Sequence, residues 1–130
     1  MIAIDSSALV KLVLDEPESA ALEGWLTSRA PLSVAASDLV RVELIRAVAR
    51  AAPAGVPRAR TLLTGVDLVP VTRDLLETAA DLGPPSLRSL DALHLATALS
   101  LGSALDAFVV YDERLAQAAT DAGLPVVAPS

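Results

Sequence analysis

The chain has 130 residues, is 53% hydrophobic and lacks cysteine, which suits one compact core and excludes disulfides, thiolate nucleophiles and cysteine-based zinc sites. Its net charge of −6 speaks against a uniformly basic nucleic-acid binder, yet residues 41–60 carry one acid against five arginines, a net of +4 between flanks of −4 and −6. The first residues hold acids where a secretory leader needs a basic start and an unbroken apolar run, and no stretch reaches membrane-spanning length, so a cytoplasmic protein with no membrane partner and a single domain over 1–130 is expected.

In chain order, Met1 to Ile4 reads as a first strand, and Ser6 or Ser7 is placed to cap a helix through about Leu14. Glu18 to Arg29 reads as a second helix with Trp25 on its apolar side, and Leu32 to Ala35 as a second strand. Ser37 should cap a long helix to about Ala51, which the Pro53, Gly55 and Pro57 cluster breaks before a short helix over Arg58 to Thr64. Leu68 to Val71 is a third strand, and Thr72 a cap for Arg73 to Leu82. After the Gly83-Pro84-Pro85 loop, Ser89 should cap the helix that contains LDALHLATALSL, followed by a fourth strand over Ala107 to Val110. Asp112 to Ala122 forms the last helix, and Pro125 to Val127 a marginal fifth strand. Alternating strands and helices specify an α/β three-layer sandwich, a short parallel sheet of four to five strands flanked by helices.

Asp91 stands inside an otherwise apolar helix, and a buried, unpaired carboxylate there costs several kcal/mol, so a partner is required. Asp5 follows the first strand directly and Asp112 lies two residues past the fourth, so both sit at carboxyl ends of strands, where open α/β sheets bind ligands. Glu43, on the long helix, shares a face with Arg46 and Arg50 while Val40, Leu44, Ala47 and Val48 turn to the core. Carboxylates gathered this closely repel, by about 4 kcal/mol per pair roughly 4 Å apart at an effective dielectric near 20, so they call for cations. All-oxygen donors favour Mg²⁺, or Mn²⁺ as a substitute, and leave coordination sites for water and a phosphodiester.

The segments IDSSALVKLVLDE, SDLVRVELIRAV, RSLDALHLATAL and VYDERLAQAA together resemble PIN-domain ribonucleases, specifically VapC-type toxins of toxin–antitoxin pairs, over nearly the whole chain. The resemblance implies that Asp5, Glu43, Asp91 and Asp112 bind the metal and catalyse endonucleolytic cleavage of RNA by metal-activated water. It also implies a VapB-type antitoxin that blocks the site, and a homodimer. Val110 departs from the family pattern, which often carries Thr or Ser before the Tyr-Asp pair.

Each acid also has a local alternative: helix capping for Asp5 and Asp112, N-terminal helix capping or a buried pair with Arg88 for Asp91, a pair with Arg46 for Glu43. His94 reads as a hydrogen-bonded structural residue, while Arg46 and Arg50 are placed to position RNA phosphates and Arg41 projects elsewhere. Two other functions compete. One is a non-catalytic PIN-like interaction module. The other is aspartyl-phosphate transfer, disfavoured because Ser7 stands where a phosphatase of that type needs a second Asp and no lysine occurs late in the chain.

Overall fold

The computed structural model describes residues 1–130 and contains five strands: β1 (Ile2–Ile4), β2 (Val34–Ser37), β3 (Asp67–Val69), β4 (Ala107–Val109) and β5 (Val126–Val127). Seven α-helices connect them: α1 (Ser6–Lys11), α2 (Ser19–Thr27), α3 (Val40–Ala51), α4 (Val56–Thr64), α5 (Arg73–Asp81), α6 (Ser89–Ser100) and α7 (Glu113–Asp121). Every strand pairing is parallel, in the order β3-β2-β1-β4-β5. The expected three-layer sandwich is present, including the marginal fifth strand.

The two-residue alternation of side chains sorts the core into two layers. Ile2, Ile4 and Val109 face a cluster built with Leu9 of α1, Leu22 of α2, Leu44 and Val48 of α3, and Leu63 of α4. Ala3, Phe108 and Val110 face the other side, against Leu95 and Ala98 of α6 and Leu115 and Ala119 of α7. Helix α6 is the most enclosed element: Ala92 through Ala98 are all buried, and α5 covers its outer face through Ala79. This explains an apolar run with no polar face, since a helix packed on several sides needs none. No helix is long and apolar enough to cross a membrane.

Three of the expected caps lie elsewhere. Asp5, rather than Ser6 or Ser7, caps α1, its side chain accepting from Ala8 N. Ser37 belongs to β2, which runs two residues later than expected because Leu32 still lies in the turn closed by Leu32 N donating to Arg29 O. The Ser37 hydroxyl accepts from Leu39 N at 3.3 Å, and α3 begins only at Val40. Ser89 is the first residue of α6, and the capping position falls to Arg88, which makes no side-chain cap. Thr72 does cap α5, accepting from Leu75 N at 3.2 Å.

Candidate active site

The strand order reverses at β1, so the crevice outside the carboxyl ends of β1 and β4 is the place where such sheets take ligands. Ile4 pairs with Val109 in register, which brings the residues leaving both strands together. Asp5 leaves β1 and Asp112 leaves β4 into this crevice. Asp91 enters from the first turn of α6.

Asp5 is 3% exposed, and its Oδ1 accepts from Ala8 N at 3.2 Å and from Ser7 Oγ at 2.7 Å. Oδ2 makes no protein hydrogen bond and is not sealed from solvent, so one oxygen fixes the side chain and the other is left free. Burial pushes the Asp5 carboxyl up to about 6, against the bonds from Ser7 and Ala8 and the charge of His94. Ser7 Oγ also accepts from Tyr111 N at 3.2 Å, so a single hydroxyl ties the end of β1 to the turn that delivers Asp112.

Asp112 divides its oxygens in the same way. Oδ1 accepts from Leu115 N at 2.9 Å and caps α7, while Oδ2 lies 3.8 Å from Arg88 Nη2. Arg88 Nε lies 3.5 Å from Asp91 Oδ2, so one guanidinium spans the two aspartates. The Asp91 carboxyl is raised, first by burial and then by the charge of Asp112, with Arg88 and His94 opposing. Glu43 completes the set from α3: its Oε1 lies 2.6 Å from His94 Nε2, a bond that joins the two helical layers. Burial disfavours the charged imidazole, but the bond to Glu43 and the charges of Glu43, Asp5 and Asp91 outweigh it and raise the His94 pKa.

The structure thus brings Asp5, Asp91, Asp112 and Glu43 to one end of the sheet. Three of the local alternatives coexist with that gathering: both capping roles are real, and Asp91 does meet Arg88. The alternative pair of Glu43 with Arg46 does not form. Arg46 and Arg50 are exposed on α3 without an ion pair, whereas Arg41 is held by Asp38 at 2.6 Å. His94 is buried and hydrogen-bonded, the structural role expected of it. Ser7 borders the crevice and Arg88 lies over it, although neither belonged to the expected site. The sequence signal for each was proximity, two residues from Asp5 and three from Asp91.

No three of these carboxylate and imidazole groups stand close enough together to ligate one ion directly. The donor set is nevertheless all oxygen apart from His94, with outward-facing oxygens on Asp5 and Asp112, and this fits a hard divalent cation that takes one or two carboxylates and completes its shell with water.

Comparison with known proteins identifies the family and the fold. Residues 2–121 match the family model of the PIN domain. The chain is 45% identical over 132 residues to Ribonuclease VapC47 of Mycobacterium tuberculosis, covering 99% of this chain and 97% of the relative. Among solved structures it is similar to Mycobacterium tuberculosis VapC20, a toxin that cleaves the sarcin-ricin loop, with TM-score 0.78, 21% identity and coverage of 99% and 100%. A toxin-antitoxin complex from Klebsiella pneumoniae matches with TM-score 0.73, 21% identity and coverage of 100% and 98%.

Proposed function

This chain belongs to the PIN-domain family and, within it, to the VapC ribonucleases, and from that premise we propose that it is the endoribonuclease toxin of a type II toxin–antitoxin pair, acting with Mg²⁺ at Asp5, Glu43, Asp91 and Asp112. The observation that carries the reading is the meeting of Asp5, Asp91 and Asp112 at the reversal of strand order, with the Asp5 and Asp91 carboxyls raised chiefly by burial. A bound divalent cation would offset that cost of burying charge, which Arg88 and His94 offset only in part.

Asp5 and Asp91 are the residues that would hold the ion, with Asp112 and Glu43 at the rim. A bound divalent cation supplies Lewis acidity toward a phosphate and lowers the pKa of water at the site. The protein's own part is positioning. Ser7 and Ala8 N fix the Asp5 carboxylate, Leu115 N fixes that of Asp112, and His94 holds Glu43, so the negative oxygens are oriented before substrate arrives. Arg46 and Arg50, unpaired on the exposed face of α3, are placed to receive backbone phosphates of RNA. Hydrolysis would leave a 5′-phosphate and a 3′-hydroxyl.

The partners follow from the same reading: an RNA substrate, a cognate VapB-type antitoxin and a second copy of the chain, in the cytoplasm, with residues 1–130 acting as one domain. Exposed Val42, Leu76 and Leu90 offer apolar surface for assembly, and a groove lined by Leu12, Glu23, Arg58, Thr61 and Leu62 offers a seat for an amphipathic segment. Incubation of the purified protein with RNA tests the proposal. Cleavage with Mg²⁺ that stops with EDTA, and that disappears in Asp91→Asn with the fold intact, is expected. EDTA-resistant cleavage, or full activity in that variant, would refute it.

A further inference from the structure

Arg88 is the one arginine that touches the crevice, and three observations set it apart. Its guanidinium faces two carboxylates at once, Asp91 through Nε at 3.5 Å and Asp112 through Nη2 at 3.8 Å. Both separations exceed the roughly 2.7–2.9 Å of a charge-assisted hydrogen bond, so the contacts are electrostatic and loose. The side chain is 71% exposed, against 19% for Asp91 and 33% for Asp112, so the cation lies over the crevice rather than inside it.

We propose that Arg88 is a displaceable counterion of the crevice, which a divalent cation drives off Asp91 and Asp112 and which then positions a phosphate of the RNA. This rests on the metal-dependent ribonuclease reading and adds a residue and an order of events to it. A divalent ion held by Asp91 would neutralise the charge that attracts the guanidinium and would repel it as a like charge. Little holds Arg88 back, because it sits at the capping position of α6 with extended backbone angles (φ −66, ψ 149) and makes no side-chain cap. Anchored at the start of α6, the freed fork would remain beside the crevice, and its planar donors match phosphate oxygens better than an ammonium would. Arg46 and Arg50 lie on α3, in the other helical layer, so Arg88 gives the substrate backbone a contact from the α6 side.

The two halves of this role pull in opposite directions, which makes it testable in Arg88→Gln and Arg88→Lys, with Mn²⁺ as the probe. Calorimetry on metal-free protein should show Mn²⁺ binding about three- to tenfold tighter in Arg88→Gln, the scale of removing two exposed ion pairs. At saturating Mn²⁺ the same variant should have a KM for a single-stranded RNA oligonucleotide raised by about tenfold, with kcat changed far less. Its RNA affinity should fall less steeply with salt, by about one in the logarithmic slope. Arg88→Lys should keep wild-type Mn²⁺ affinity with an intermediate KM. Weaker binding of both Mn²⁺ and RNA in Arg88→Gln would mean a structural prop and overturn the proposal, as would an unchanged KM or an unchanged Mn²⁺ affinity. Wild-type protein that takes up no Mn²⁺ would overturn the parent reading too, whereas a wild type that binds and cleaves beside an unaltered Arg88→Gln would overturn this inference alone.

Discussion

Two acidic clusters in this protein use similar residues to opposite effect. Near the end of α1, Lys11 Nζ lies 2.9 Å from Glu18 Oε2 and 3.3 Å from Glu16 Oε1, and stands 4.7 Å over the Tyr111 ring. Burial disfavours the charged ammonium there, but its bonds to Glu18 and Glu16 prevail and raise the Lys11 pKa, while the bond from Lys11 lowers that of Glu18. Each charge in that cluster stabilises the other. In the crevice, burial raises Asp5 and Asp91 instead, and the cations nearby sit loosely or belong to an imidazole already bonded to Glu43. That difference, one cluster satisfied by its own cation and the other not, is the ground on which the proposed metal is assigned to the second.

That contrast can be broken by substitution. The largest effect expected is on catalysis. Asp91→Asn or Asp5→Asn should lower the RNA cleavage rate by roughly 10²–10⁴-fold, the scale for losing a positioned catalytic group, whereas Lys11→Met should leave cleavage within about twofold. Equal losses in the two clusters would erase the distinction between them.

Next in size is stability. The Asp5 carboxyl titrates near 6 in the folded protein and near 4 when unfolded, so the native state binds the extra proton between those values. Stability from this group is therefore full at low pH and lost as pH rises from about 4 to 6, amounting to about 3 kcal/mol by pH 8. Asp5→Asn keeps an acceptor for Ala8 N and Ser7 Oγ without the charge, so metal-free protein carrying it should resist urea better than wild type at pH 8, with the gain vanishing at pH 4. A variant less stable at pH 8 would mean that the buried charge is already satisfied. Lys11→Met should do the reverse and cost about 1 kcal/mol, as expected for a partly exposed pair.

The smallest effect concerns His94, whose titration is read cleanly by NMR because it is the only histidine. Glu43→Gln should lower its pKa, since the carboxylate contributes both a bond and a charge to the raised value. With a raised folded pKa, the His94 contribution to stability is present at low pH and lost as pH rises through that value, and Glu43→Gln should flatten the loss. A His94 pKa unmoved by the substitution would separate the two residues.

Much of the architecture was legible in the sequence because strands and helices alternate in type and in hydrophobic period. Three of the four acids could be singled out from local pattern, since Asp5 and Asp112 each follow a strand and Asp91 interrupts an apolar helix, whereas Glu43 shares a face with Arg46 and was set apart only by the family resemblance. The capping residues were less legible. At DSS the aspartate and both serines are chemically competent caps one residue apart, and the capping position falls to Asp5 because its backbone is still extended (φ −97, ψ 177) while Ser6 is already helical. Ser7, released from that task, bonds to both Asp5 and Tyr111 N, a contact 104 residues away that no local pattern encodes. Likewise Glu43 meets His94 across 51 residues rather than Arg46 on its own helix, and the second contact of Arg88 depends on β4 lying beside β1.

Titration of Mn²⁺ into metal-free protein at pH 8, followed by calorimetry, tests the central claim most directly. Saturable uptake is expected in wild type and in Lys11→Met, and its loss in Asp91→Asn. No saturable uptake in wild type, or undiminished uptake in Asp91→Asn, would contradict the assignment of these carboxylates to a metal.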